Sequence, residues 1–143
     1  SKKQLDDVKK INIIGTIEGI ADANPVSSLD YAGEFGNISS FGFTNNTVGV
    51  NAVQNMTINN HASINNLQLA FLRAYNAYSI VMNNLNYFPI LSEKNIEVIA
   101  IDEKIKRGYQ WRKATVKLRI ENFYLGEFNA RSSDVKEIVL AHF

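Results

Sequence analysis

Side chains able to do acid–base, nucleophilic or metal chemistry are few in this sequence, and they are not spaced for it. The two histidines, His61 and His142, fall in neither an H-x-x-x-H nor an H-E-x-x-H pattern, so no two-histidine metal helix is expected. They read as a loop residue and a tail residue. The absence of cysteine excludes disulfides, thiolate zinc sites, iron–sulfur clusters and a cysteine nucleophile together. Asp22, Asp30 and Glu34 lie in a polar, glycine-containing stretch and are the candidates for carboxylate acid–base work, but nothing in their spacing brings a pair together. The serine pairs at 27–28, 39–40 and 132–133 lack a G-x-S-x-G turn and read as turn or cap residues. The expectation is a protein without a catalytic centre, metal or cofactor, and hence not an enzyme.

Binding chemistry is better represented. The stretch "KIKRGYQWRKATVKLRI", residues 104–120, holds seven of the fifteen basic side chains, no acidic one, and Tyr109 and Trp111 among them. Residues 11–72, by contrast, contain no Lys or Arg and carry Glu18, Asp22, Asp30 and Glu34, about −4 in total, which leaves +5 for the rest of the chain. A net charge of +1 conceals this division. Such asymmetry points to a charged partner or to self-assembly in which an acidic surface meets a basic one. The competing reading is that the two regions compensate each other within one chain.

Side-chain alternation divides the second half of the basic stretch into two faces. Ala114, Val116, Leu118 and Ile120 form an apolar face, and Tyr109, Trp111, Lys113, Thr115, Lys117 and Arg119 a basic, aromatic one. Cations with aromatics on a sheet surface are how single-stranded nucleic acid is held, through phosphates and stacked bases. No Gly-rich phosphate cradle, RNP-like or GXXG pattern accompanies them, and the near-neutral total falls short of a typical basic nucleic-acid domain.

The elements that must position these residues are legible in outline. "INIIGTIEGI" reads as a strand with a bulge or bend at Gly15, where the alternation breaks. Residues 21–62, rich in Asn, Gly and Ser, read as a loop-rich segment holding short strands, or as an extended arm that becomes ordered on a neighbouring subunit. In "SINNLQLAFLRAYNAYSIVMNNLNYF", Ile64, Leu67, Phe71, Ala74, Tyr78, Val81 and Leu85 recur at helical spacing. Ser63 serves as N-cap and Pro89 stops the pattern, giving an amphipathic helix of about six turns. Its other face presents Asn65, Gln68, Asn76, Asn83 and Asn86 with a single charge, Arg73. "NIEVIAIDEKIKRGYQWRKATVKLRIENFYLGEF" reads as a long antiparallel hairpin turning at Gly108, and "SSDVKEIVLAHF" as a short helix.

At 143 residues, 45% hydrophobic and 20% charged, the chain fits one domain, 1–143, able to bury about 68–70% of its unfolded surface. No apolar run approaches the ~18 residues of a membrane span, and the polar N-terminal stretch "SKKQLDDVKK" is followed by no apolar signal core. The expected fold class is α+β: an antiparallel sheet with a long basic hairpin packed on one long helix, with a short C-terminal helix. The expected role is a structural subunit that associates with copies of itself and other proteins into a ring or tube, the general character of bacteriophage tail, neck or baseplate subunits. Such a chain is cytoplasmic or part of an assembled virion, and has no membrane partner. Its candidate interface comprises Tyr109, Trp111, Lys113, Lys117 and Arg119 on the basic side and Glu18, Asp22, Asp30 and Glu34 on the acidic side. The alternative is a small single-stranded nucleic-acid-binding protein using the basic–aromatic face.

Overall fold

The computed structural model describes residues 13–26, 29–84, 96–120 and 123–129. Six strands and one long helix build a mixed α+β fold. The strands are β1 (Ile13–Ala21), β2 (Ile38–Asn45), β3 (Ala52–Ile58), β4 (Ile96–Asp102), β5 (Lys113–Ile120) and β6 (Phe123–Asn129), and the helix, α1, spans Asn66–Asn83 between β3 and β4. They form one sheet in the order β3-β2-β4-β1-β5-β6. The three central strands, β2, β4 and β1, are parallel, and antiparallel β3 and β5 flank them.

This order corrects the expected antiparallel hairpin of 96–120. β4 and β5 do not pair: each is hydrogen-bonded to β1, one on either side of it. The basic strand β5 forms its antiparallel partnership with β6 instead. The ten residues between Asp102 and Lys113 are needed because the chain must cross the end of β1, whereas a hairpin closes in two to five. The expected short helix near the C-terminus lies outside the described residues.

Nor does β1 bulge at Gly15, since its register with β5 runs through that residue unbroken and its pairing with β4 starts there. The alternation fails there for another reason. Ile17 faces α1 and Ile20 the opposite side, and both are buried, so apolar residues fall on both faces of this central strand although Thr16 and Glu18 share the Ile20 side. Residues 21–62 are not an arm. They contribute β2 and β3 to the sheet, and Tyr31, Ile38, Phe43, Met56 and Ile58 to the core.

α1 begins two residues later than the Ser63 cap predicts. Asn65 is the N-cap: its side chain accepts from the Gln68 amide at 2.9 Å, while Gln68 Oε1 accepts from the Asn65 amide at 2.8 Å. This reciprocal capping box satisfies two amides that the first turn leaves without helical partners, and Ser63 is engaged elsewhere, donating to Asp30. The helix packs on one face of the sheet through Ala70, Phe71, Ala74, Ala77 and Val81. Over β1 the approach is close enough to require Gly19, for a Cβ there would stand 2.0 Å from the Ala70 carbonyl oxygen and 2.5 Å from the Ala74 nitrogen. On the β2 side large rings fill the layer. Phe41 meets Phe71, Tyr75 and Tyr78 edge-on at centroid separations of 5.1–5.7 Å, and Phe43 meets Phe71 at 5.2 Å. Small residues over β1 and aromatic ones over β2 thus fix both the height and the position of the helix.

Two substitutions test this account by urea denaturation. Phe71→Ala, which empties the centre of the ring cluster, is expected to cost about 3–5 kcal/mol. Gly19→Ala forces the helix off β1 and is expected to cost about 3 kcal/mol, the upper part of the range for overpacking. Gly42→Ala, whose added methyl would find its nearest neighbour at 3.8 Å, serves as the control and should change stability by less than about 0.5 kcal/mol. Equal effects at Gly19 and Gly42 would contradict the close approach.

Candidate functional interface

Because β1, β2 and β4 run parallel, the chain leaves all three at one end of the sheet. Three connections meet there: residues 22–26 after β1, 46–51 after β2 and 103–112 after β4. They are tied together by backbone and side-chain bonds. The Asn46 amide donates to the Ala100 carbonyl at 3.0 Å, the Asp102 amide to Thr47 Oγ1 at 2.9 Å, the Glu103 amide to the Ala21 carbonyl at 2.9 Å, and the Ala23 amide to the Lys106 carbonyl at 2.9 Å.

Asp22 is the centre of this rim. Only 5% of it is exposed, and its Oδ2 accepts from the Gly108 amide at 2.9 Å, Asn24 Nδ2 at 2.9 Å and Arg112 Nε at 3.0 Å. The Gly108 amide bond first, and then the Arg112 guanidinium and Asn24, hold its carboxyl below the ordinary 3.8 against the opposing effect of burial. Gly108 itself has φ +121°, the left-handed region in which glycine is favoured, so the amide can be presented at the crossing. Asn66, at the first position of α1, clasps the same segment: its Nδ2 donates to the carbonyls of Asp22 at 3.3 Å and Asn24 at 3.0 Å, and its Oδ1 accepts from the Val26 amide at 3.1 Å. Arg73, about two turns further on, reaches back to donate Nη1 to the Ile20 carbonyl at 2.7 Å. Burial, and secondarily Arg112, lower its pKa, while the Asp22 charge works in the other direction.

The predicted interface residues are dispersed by this geometry. Tyr109 and Trp111 belong to a 3-10 turn, Tyr109–Trp111, and not to the strand, so the two-residue alternation that placed them beside Lys113 and Lys117 does not extend to them. Trp111 is half-buried with the Lys106 ammonium 4.3 Å from its ring centroid, whereas Tyr109 is 83% exposed. Lys113 and Lys117 lie on the face turned away from α1, opposite Ile20 and Thr16 of β1, and Arg119 is in register with Ile14. Thr115, between the lysines, is buried. Of the acidic set, Glu18 sits on the same face as Lys117 and pairs with it at 3.3 Å, and Asp22 is paired as described. Asp30 accepts from the Ser63 hydroxyl at 3.0 Å, and Glu34 is exposed. Two of the four acids therefore meet the basic segment within one chain, through Glu18–Lys117 and Asp22–Arg112. His61 is an exposed turn residue, and His142 lies outside the described residues.

What the sequence reading missed is an apolar set on the same rim. Ile105 is 81% exposed and Val48 78% exposed, with Val50 also open; Val53, 83% exposed, follows at the start of β3, which runs antiparallel to β2 and so begins at this end. With Tyr109 they line the ends of 46–51 and 103–112, beside the exposed cations Lys104, Lys106 and Arg107. Scattered valines and an isoleucine carry no periodic signal; only the parallel order of β1, β2 and β4 brings them to one end.

No family model, curated protein or solved structure matches the chain. Among the described residues no helix is long and apolar enough to cross a membrane.

The Asp22 node has a pH consequence. Its carboxyl has a lower pKa folded than unfolded, so ionised Asp22 contributes stability that is present above the ordinary 3.8 and lost as pH falls through the lower folded value. Asp22→Asn should accordingly lower the melting temperature at neutral pH and lose most of that deficit in the acid window below about pH 4. A deficit equally large on both sides of that window would show that the charge of Asp22 is immaterial.

Proposed function

We propose that the chain is a non-enzymatic assembly subunit that associates with copies of itself and with other structural proteins through the rim at the carboxyl ends of β1, β2 and β4. The reading rests on one observation: Val48, Val50, Val53, Ile105 and Tyr109, five of the six large hydrophobic side chains left exposed among the described residues, gather at that end. Exposed apolar side chains at one end of the sheet, edged by Lys106 and Arg107 while Lys104 is paired with Asp102 at 2.6 Å, are what a desolvated contact with a cationic border needs. The partner surface is then apolar with an acidic border. The internal pairing of Glu18 and Asp22 speaks against the acidic half of a neighbour as the main counterpart of the basic strand, and moves the contact to the rim. Membership of a phage tail, neck or baseplate is consistent with such a subunit.

A second reading, single-stranded nucleic-acid binding, draws on the exposure of Tyr109 next to Lys106 and Arg107, a ring free to stack beside cations for phosphate. It is the weaker of the two, since Trp111 already carries Lys106 on its ring and the total charge is only +1.

Light scattering coupled to size exclusion separates them. Ile105→Glu, at a position that contributes little to the core, is expected to weaken association at least tenfold, about 1.4 kcal/mol, while changing folding stability by less than about 0.5 kcal/mol. Tyr109→Ala should behave similarly and should not alter binding of a labelled oligonucleotide. Loss of oligonucleotide binding worth about 1–3 kcal/mol on Tyr109→Ala, with association unchanged, would favour the nucleic-acid reading.

A further inference from the structure

The sheet has two edges, and they differ in kind. β6 ends one side and includes Glu127 and Gly126, with a register shift in its pairing to β5. β3, "AVQNMTI", ends the other side with β2 as its only strand neighbour among the described residues. Val53, Gln54, Asn55 and Thr57 of β3 are exposed, and from Ala52 to Met56 the register with β2 is regular, the shift falling beyond it between Ile38 and Phe41.

Edge strands are ordinarily protected by lysine, proline, a bulge or brevity, because a row of unpaired N–H and C=O groups is a template for another chain. β3 has neither charge nor proline along seven residues. Its neighbours in the sequence are equally uncharged: residues 35–72 contain no Lys, Arg, Asp or Glu, and the carboxylate of Glu97 stands one strand further in, accepting from Thr44 at 3.2 Å across β2. In a chain with 20% charged residues, a stretch of that length containing the edge and both its flanking loops leaves nothing there to repel an identical strand.

We infer that β3 is an interface for a second copy of this chain, pairing antiparallel with its own counterpart across a two-fold axis. The axis falls near Gln54, so that Val53 of one copy lies opposite Asn55 of the other and Ala52 opposite Met56, and two six-stranded sheets become one of twelve strands. The choice of a second copy over another partner follows from charge. An isologous contact sets each residue type against the same surface, which is costly wherever a charge stands near the axis, and here none stands. A dissimilar partner selected electrostatically would find nothing on β3 to recognise. The inference concerns a surface separate from the rim contact and does not depend on it, although Val53 borders both.

The test places the missing protection on the edge. At concentrations too low to fill the rim contact, the parent chain should be a dimer by light scattering, and Val53→Lys with Asn55→Lys in one chain should be a monomer that melts as the parent monomer does, both positions being exposed. A chain carrying Val53→Glu and Asn55→Glu should also be monomeric alone. Mixed in equal amounts, the two variants should form a heterodimer, because every opposed pair is then Lys against Glu. As a measurement independent of any substitution, amide exchange in 52–58 of the parent should slow with rising protein concentration. A parent that stays monomeric, a doubly lysine-substituted chain that remains dimeric, a mixture that does not associate, or exchange independent of concentration would each overturn the inference. Dimerisation abolished by Ile105→Glu and untouched by the edge lysines would assign the contact to the rim instead.

Discussion

One carboxylate oxygen, Asp22 Oδ2, takes three donors at the point where the chain crosses from β4 to β5 over the end of β1. The crossing is a topological necessity, because β1 lies between the two strands it joins. A ten-residue connection that passes over a strand end without entering the sheet has few backbone partners of its own, and must be ordered by groups that the strand end supplies. Asp22 supplies the acceptor, Gly108 a backbone amide in a conformation open to glycine, and Arg112 the charge. The cost of burying the carboxylate is met by those three bonds, which is why its pKa moves down despite burial. The same node orders the neighbouring connections, since Asn66 draws the first residues of α1 onto 22–26 and Arg73 closes on the Ile20 carbonyl. Ile105 and Tyr109 are therefore presented to solvent from a loop pinned at both ends.

Legibility in the sequence followed the range of the interaction concerned. The helix was recovered because 3.6-residue periodicity is local, and Phe71, Ala74 and Val81 do face the core. Its start was misplaced because Ser63 is a good cap by type, yet the Asn-x-x-Gln pair at 65 and 68 is a reciprocal one and prevails; that signal was present in the sequence. The sheet order was not recoverable in this way. β4 and β5 are successive strands around a polar turn, which resembles a hairpin until β1, some ninety residues from Arg112 at Asp22, is inserted between them. The length of the connection was the available warning. The strand period of β5 does not reach Trp111, because between Gly108 and Arg112 the backbone makes a 3-10 turn and no period of two applies.

The charge division was visible in composition, but its meaning lay in pairing. Glu18 and Lys117 are ninety-nine positions apart in the chain and adjacent on the sheet because β1 and β5 are antiparallel neighbours. The pair is half-buried, and its consequence is chiefly that neither charge is left to recruit a partner by itself. The Asp22–Arg112 pair is different in kind, since one member is buried and the pair fixes a loop. Charge asymmetry along a sequence is thus a poor guide to a charged surface when the sheet is non-local, because the segments it separates are the ones that the sheet brings back together.

What remains distinctive is the distribution of uncharged surface. Residues 35–72 pass through β2, β3 and the first turns of α1, so one wing of the sheet bears no formal charge while β5 and the 103–112 connection on the other side bear seven of the eight Lys and Arg among the described residues. A two-fold contact along β3 closes at two copies and buries the neutral wing, leaving the cationic loops of both copies at the outer parts of the joined sheet. Growth beyond a pair then needs a second, dissimilar contact, for an isologous interface consumes the same surface on both partners and offers none for a third. The rim provides the only other gathering of exposed apolar side chains among the described residues. Because it lies at the strand ends and β3 at the sheet edge, the two contacts point in different directions, and a chain that uses both extends into an assembly instead of stopping at a dimer.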